Sequence, residues 1–227
     1  MLMSKSVFPF VVAMAFIVVL SNILVQFPVG YSLGGVNLGD VLTWGAFTYP
    51  IAFLITDLTN RVFGTQKARW VVFAGFVLAV ICSVIVPKIL FSLGLFPFEL
   101  TPSRIARVAM ASGLAFLTAQ LLDVAIFARL RGGRWWRAPL VSSLVGSSVD
   151  TCLFFGIAFA ASFAFLGEND GFALENAPAL AVFATEIPRW ISWAVGDFMV
   201  KIVAGILLLA PYGLLVNMLK PVEMERS

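Results

Sequence analysis

Six apolar stretches, each long enough to cross a bilayer's hydrocarbon once coiled into a helix, leave this chain few ways to fold. They cover residues 7–29, 41–63, 70–93, 105–130, 140–165 and 190–219 of 227. A backbone in hydrocarbon has to satisfy its own N–H and C=O groups, which a run of this length does as an α-helix. Only 12% of residues are charged while 61% are hydrophobic, about half the charged share of a soluble domain. The expected fold class is all-α: a polytopic membrane bundle of six transmembrane helices, one domain over 1–227. Those spans leave too little chain for a soluble catalytic or nucleotide-binding domain, and no glycine-rich phosphate loop occurs.

The first stretch follows Lys5 as a secretory signal would. It is too long for a signal's apolar core, contains Asn22 and Gln26, and lacks a clear small-residue cleavage site, so it reads as a retained helix. Cys82 and Cys152 fall inside predicted helices without metal-ligand spacing and read as packing residues. No metal or cofactor is expected.

Charge between the stretches orients the bundle. Lys5, then Arg61, Lys67 and Arg69, then Arg129, Arg131, Arg134 and Arg137, then Lys220 and Arg226 fall on one side. The other side carries Asp40, the mixed set Lys88, Glu99, Arg104 and Arg107, and the acidic set Glu168, Asp170, Glu175 and Glu186 before Arg189. The positive-inside rule places both termini in the cytoplasm. The net charge of +3 is explained by topology and anionic lipid and calls for no nucleic-acid partner. Residues 166–188 form an outer cap whose "PALAVFA" is an interfacial or re-entrant piece or a plain linker. Trp135 and Trp136 belong at the headgroup level.

Polar residues inside the spans are the informative ones, because an ionised side chain at a helix centre costs roughly 2.5–3.5 kcal/mol on insertion scales. On the second span Tyr49, Phe53, Thr56, Asp57 and Asn60 recur at helical spacing, with Pro50 predicting a kink. Asp57 and Arg61 stand four residues apart, as an ion pair would, so a cavity lining and a local salt bridge are both open. On the fifth span Ser143, Ser147, Asp150 and Phe154 share a face, with Gly146 permitting close approach. Asp150 has no basic neighbour within one turn, so it is protonated, paired across the bundle or waiting for a ligand. The sixth span offers Asp197 and Lys201, an i, i+4 pair beside Trp193, with Lys201 also the best cross-helix partner for Asp150. Gln120 and Asp123 on the fourth span, with Asn22 and Gln26 on the first, complete the candidate interior.

At "LTWGAFTYPIAFLITDLTNRVFG…AR" and "SSxxDTxxFFxIAF", with an early "NILVQFP" and an arginine-rich turn, the chain resembles the queuosine precursor transporter family, within the wider vitamin-uptake group. The resemblance implies a fold similar to the six-helix substrate-binding subunits of energy-coupling-factor importers, and an inner-membrane importer of 7-cyano-7-deazaguanine or 7-aminomethyl-7-deazaguanine rather than an enzyme. Motif matching points to Tyr49, Pro50, Phe53, Thr56, Asp57, Ser147, Asp150, Thr151 and Phe154. A deazaguanine presents a ring N–H beside an exocyclic amine, which one carboxylate accepts together, and a flat face that stacks on an aromatic ring. Asp150, Asp57 or Asp123 supply the first; Trp44, Tyr49, Phe154 or Trp193 supply the second.

Two other functions compete. A binding subunit that needs a separate ATPase module has the same sequence features; energy-coupling subunits are possible partners, not required ones. An intramembrane aspartyl protease needs two facing carboxylates, and "AVGD" at 194–197 lacks the first glycine of its G-x-G-D pattern. The absence of histidine excludes a serine-histidine dyad.

Overall fold

The computed structural model describes residues 6–25, 27–33, 36–95 and 101–219. In chain order these form α1 (Phe8–Leu24), β1 (Ser32–Leu33), β2 (Val36–Asn37), a 3-10 turn, α2 (Gly45–Thr48), α3 (Pro50–Phe63), α4 (Thr65–Ser92) and α5 (Pro102–Leu130). There follow α6 (Arg137–Phe159), a second 3-10 turn, α7 (Gly171–Leu174), β3 (Asn176–Ala179), β4 (Phe183–Pro188), α8 (Arg189–Leu207) and α9 (Leu209–Leu219). Among the described residues four helices, α4, α5, α6 and α8, are long and apolar enough to cross a membrane, and α1 and α9 are shorter apolar helices. The chain is therefore mostly helical, but not purely so: two antiparallel hairpins, β1–β2 and β3–β4, are added to the helices.

The expected spans are interrupted where backbone hydrogen bonding is interrupted. Pro50 opens α3 and has no N–H, so the second span is split at Tyr49 into α2 and α3, with residues 41–44 outside the helix. The sixth span breaks at Leu208: Pro211 cannot donate to Leu207, and Tyr212 restarts the ladder by donating to Leu208 at 3.0 Å. The fifth span ends at Phe159, not 165, because Ala160 turns extended. Arg107 of α5 takes the Ile157 carbonyl at 2.8 Å and the Ala160 carbonyl at 2.6 Å, stabilising that end. Gly64, at φ +84°, lets α3 turn directly into α4. Thr101 accepts the Arg104 N–H and Pro102 takes the first turn, starting α5.

In lipid the hydrophobic effect does not drive helices together, so packing and interhelical hydrogen bonds carry more of the association. Small residues accordingly fill the seams: Ala52, Ala68, Ala111, Ala115 and Ala119 are buried. At Gly146 a Cβ would sit 2.7 Å from Phe53 and 3.3 Å from the Ala119 carbonyl, so glycine is what lets α6 approach α3 and α5. α5 packs between α4 and α6, α4 lies on α1, α8 lies on α6, and α3 is surrounded by α1, α4, α5, α6 and α9. Polar links tie the seams: Ser21 to Thr48 at 2.9 Å, Ser83 to Asn22 at 3.0 Å and Thr56 to Gln120 at 2.7 Å. Cys82 and Cys152 are unpaired.

One end of the bundle is capped by residues 160–188. Arg107, 0% exposed, aims its guanidinium at five oxygens: the carbonyls of Ile157, Ala160, Gly167 and Glu168 and the amide oxygen of Asn169. Arg104 pairs with Asp170, which also caps α7. "PALAVFA" is neither re-entrant helix nor plain linker: it contains the turn of the β3–β4 hairpin, with Leu180 and Ala181 at positive φ.

Candidate functional site

Polar side chains gather in two adjoining groups inside the bundle. The first is centred on Lys201 of α8, whose ammonium lies 2.7 Å from Asp150 of α6, 2.6 Å from Asp197 one turn earlier and 3.1 Å from the Thr151 hydroxyl. Thr151 in turn donates to Asp197 at 2.8 Å, and the Tyr49 ring lies beneath the ammonium at 5.2 Å. Both routes left open for Lys201 are thus realised together. The other carboxylate oxygen of Asp150 is buried and forms no hydrogen bond of good geometry, with the Tyr49 hydroxyl beside the carboxylate.

The second group joins α3, α5 and α6. Asp57 accepts from Ser142 at 3.3 Å and Ser143 at 3.2 Å. Asp123 of α5 faces Asp57 and lies near Ser142; it is 0% exposed, and neither of its oxygens has a hydrogen-bond partner. One turn to either side along the seam, Asn60 donates to the Val124 carbonyl at 3.0 Å but leaves its own oxygen unpaired, and Gln120 leaves its amide nitrogen unpaired.

Of the two readings open for Asp57, the cavity lining is the one formed: the salt bridge with Arg61 is absent from the ion pairs among the described residues. Arg61 points to the end of α5 and donates to the Arg131 carbonyl at 2.7 Å, because a bare C-terminal carbonyl lies within its reach while serines already satisfy Asp57.

A cavity lies between α3, α6, α8 and α9. Pro139, Ser143 and Ser147 line it on successive turns of α6; Pro50, Phe53, Leu54 and Asp57 line it from α3; Lys201 and Gly205 line it from α8. Leu208, Leu209 and Tyr212, at the break between α8 and α9, close the remaining side. It therefore runs inward from the bundle end that carries the basic 129–137 turn. The space open to water centres is about 20 Å³, room for a water molecule or so and too little for a bicyclic base.

Of the candidate residues, Phe53, Asp57, Ser147 and Lys201 line the cavity, and Tyr49, Asp150 and Thr151 contact Lys201. Asn60, Gln120 and Asp123 form the buried seam behind Asp57. The others lie elsewhere. Asn22 links α1 to Ser83 of α4. Phe154 packs against Phe155 and Phe159. Trp193 donates to the Asp40 carbonyl and packs on Phe159 and Phe172 near the cap. Gln26 lies outside the described residues. Asp197 of "AVGD" is held by Lys201 and Thr151; the carboxylates that face each other are Asp57 and Asp123.

Tyr212 and Ser142 were missed as site residues, whereas Asp197 forms the ion pair with Lys201 that its spacing offered. Tyr212 is one of three tyrosines and directly follows the proline that breaks the last span, a signal that pointed to it. Trp135, expected at the headgroups, stacks on it with ring centroids 6.5 Å apart.

Apolar helices able to cross a membrane, closed around a charged interior and a cavity, are the build of a multi-pass membrane protein with an enclosed polar site. The family described as "Putative vitamin uptake transporter" matches residues 43–216. The queuosine precursor transporter of Escherichia coli (strain K12) is 39% identical over 208 residues, 88% of this chain and 81% of that one. The probable queuosine precursor transporter of Haemophilus influenzae (strain ATCC 51907 / DSM 11121 / KW20 / Rd) is 36% identical over 219 residues, 90% of this chain and 83% of that one. No solved structure matches. The chain belongs to the vitamin uptake transporter family, among its queuosine precursor transporters.

Proposed function

We propose that this transporter imports 7-deazaguanine bases, the cyano and aminomethyl precursors of queuosine, across the inner membrane, with the basic turn and both termini in the cytoplasm. The observation that carries the site assignment is Asp150: a buried carboxylate with one oxygen held by Lys201 and the other unpaired, one turn from cavity-lining Ser147. Such an oxygen accepts from the ring N–H or exocyclic amine of a guanine-type edge, and the contact with Lys201 holds the carboxylate oriented to do so. Tyr49 and Phe53 supply aromatic surface, and Ser147, Thr151, Asn60 and Gln120 supply further polar contacts as the site opens. The cavity is too small for a base as it stands, so binding requires α9 to swing from α3 about the Leu208 break, where Gly205 leaves open space.

Cells unable to make the base, expressing this chain alone, test the reading by uptake of labelled 7-deazaguanine precursors. Uptake in a host without energy-coupling subunits supports a self-sufficient importer; uptake only when such subunits are added supports a binding subunit. Asp150→Asn replaces an acceptor by an amide that opposes the donor edge, and loss of uptake at normal protein level is expected. Full uptake by that variant removes Asp150 from recognition.

A further inference from the structure

We propose that Asp57 and Asp123 form a proton-binding pair through which an inward proton gradient drives uptake. The inference rests on the transport role of the chain and not on which base is carried.

Among the described residues the seams between α3, α5, α6 and α8 hold four carboxylates, Asp57, Asp123, Asp150 and Asp197, against one ammonium, and that ammonium is committed to Asp150 and Asp197. Among the described residues no basic side chain forms an ion pair with Asp57 or Asp123. The groups facing the pair from each neighbouring element bring it no counter-charge. Ser142 and Ser143 of α6 donate hydrogen bonds without charge. Tyr212 of α9 is a neutral phenol with an unpaired hydroxyl, and Lys201 of α8, on the same cavity, is already paired. Arg61 of α3 itself is turned to the end of α5, beside Arg131.

The hydrogen-bond inventory points the same way. Asp123 is 0% exposed and both of its oxygens are unpaired acceptors; the Asn60 oxygen, on the same α3–α5 seam, is a third. Among the described residues the unpaired donors nearby are the Gln120 amide and the Tyr212 hydroxyl, which bring no charge, and Arg61 Nε, whose guanidinium is turned to the end of α5 and forms no ion pair with either carboxylate. A buried cluster with surplus acceptors and no cation lacks hydrogen, and two facing carboxyls in such a setting share a proton. A proton suits the site better than a metal cation does. The serine hydroxyls donate to Asp57, so their lone pairs face away from any ion held there.

The arrangement also provides a path. Asp57 lines the cavity and Asp123 lies behind it, so a proton exchanging with water in the cavity reaches Asp57 first and is shared with Asp123. This cavity reaches in from the end placed in the cytoplasm, so it serves the release half of the step; the same carboxylate takes up its proton in the state open to the outside. Binding removes a charge from the seam that the helices have to enclose, which ties the proton to the same movement that exposes the cavity.

The test uses the whole chain, purified and reconstituted in vesicles. Wild type is expected to accumulate labelled 7-deazaguanine precursor when the outside is acid, to lose accumulation on adding a protonophore, and to ignore a sodium gradient. Asp123→Asn, which lies behind the cavity lining, is expected to keep exchange of base across vesicles at equilibrium while losing gradient-driven accumulation, and Asp57→Asn is expected to lose that accumulation as well. Independently of substrate, infrared spectra of wild type near neutral pH should contain a protonated-carboxyl band that weakens in alkali and is lost in both variants. Accumulation driven by sodium, or insensitive to the pH gradient, overturns the proposal. So does a carboxyl band unchanged in Asp123→Asn. If wild type transports neither precursor, the substrate assignment fails and the infrared band alone decides the pair.

Discussion

The ammonium of Lys201 meets the carboxylate of Asp150 at 2.7 Å across the seam between α8 and α6, with side chains only 4% and 5% exposed. Removing one member of a buried ion pair leaves a stranded charge, typically costing about 3–5 kcal/mol, whereas removing the charges together costs far less. Lys201→Met is therefore expected to lower thermal stability strongly in detergent, and Lys201→Met combined with Asp197→Asn to recover part of the loss. Strictly additive losses would show that the charges do not interact.

Asp57 and Arg61 are spaced as an ion pair, yet each is satisfied elsewhere, by the serines of α6 and by the Arg131 carbonyl. A double-mutant cycle of Asp57→Asn and Arg61→Gln is expected to be additive within about 0.5 kcal/mol. Denaturation midpoints of the four proteins check this; a coupling well above that figure would restore the salt bridge.

Arg107 is a clamp rather than a charge partner, since carbonyls and one amide are what it holds. Lysine places three donors on a point charge and cannot span the same oxygens, so Arg107→Lys is expected to loosen residues 160–169 nearly as much as Arg107→Ala. Amide hydrogen exchange across that segment reads the effect directly. Exchange unchanged in either variant would show that the cap is held by other contacts, such as Arg104 with Asp170.

Orientation has a direct test. A cysteine at Thr185, on the exposed face of β4, is expected to react with an impermeant thiol reagent on intact cells, and one at Arg134 only after permeabilisation. The background is Cys152, removed beforehand by serine. The reverse pattern would invert the bundle and place the cap in the cytoplasm.

Hydropathy alone determined that this chain lies in a membrane as helices, because any long apolar run faces the same demand to satisfy its backbone internally. The polar side chains picked out of the spans, Asp57, Asp123, Asp150, Asn60, Gln120 and Lys201, all proved buried, since a polar group in such a span has to turn inward. The motif around Tyr49 to Asn60 also carried the family. Partnership was another matter. Spacing along one helix proposed Asp57 with Arg61, and Asp197 with Lys201, in the same way; only the second pair formed, because serines on α6 and a free carbonyl at the end of α5 lie nearer in space than i+4 neighbours lie on the helix. Nor did hydropathy register the breaks at Tyr49, Leu208 and Ala160, where an apolar run continues while the backbone ladder stops. Those breaks set Tyr212 against the cavity and turn the 160–188 segment into a cap, and they arise from a missing proline N–H and from an arginine on another helix, which only the packed chain brings to bear.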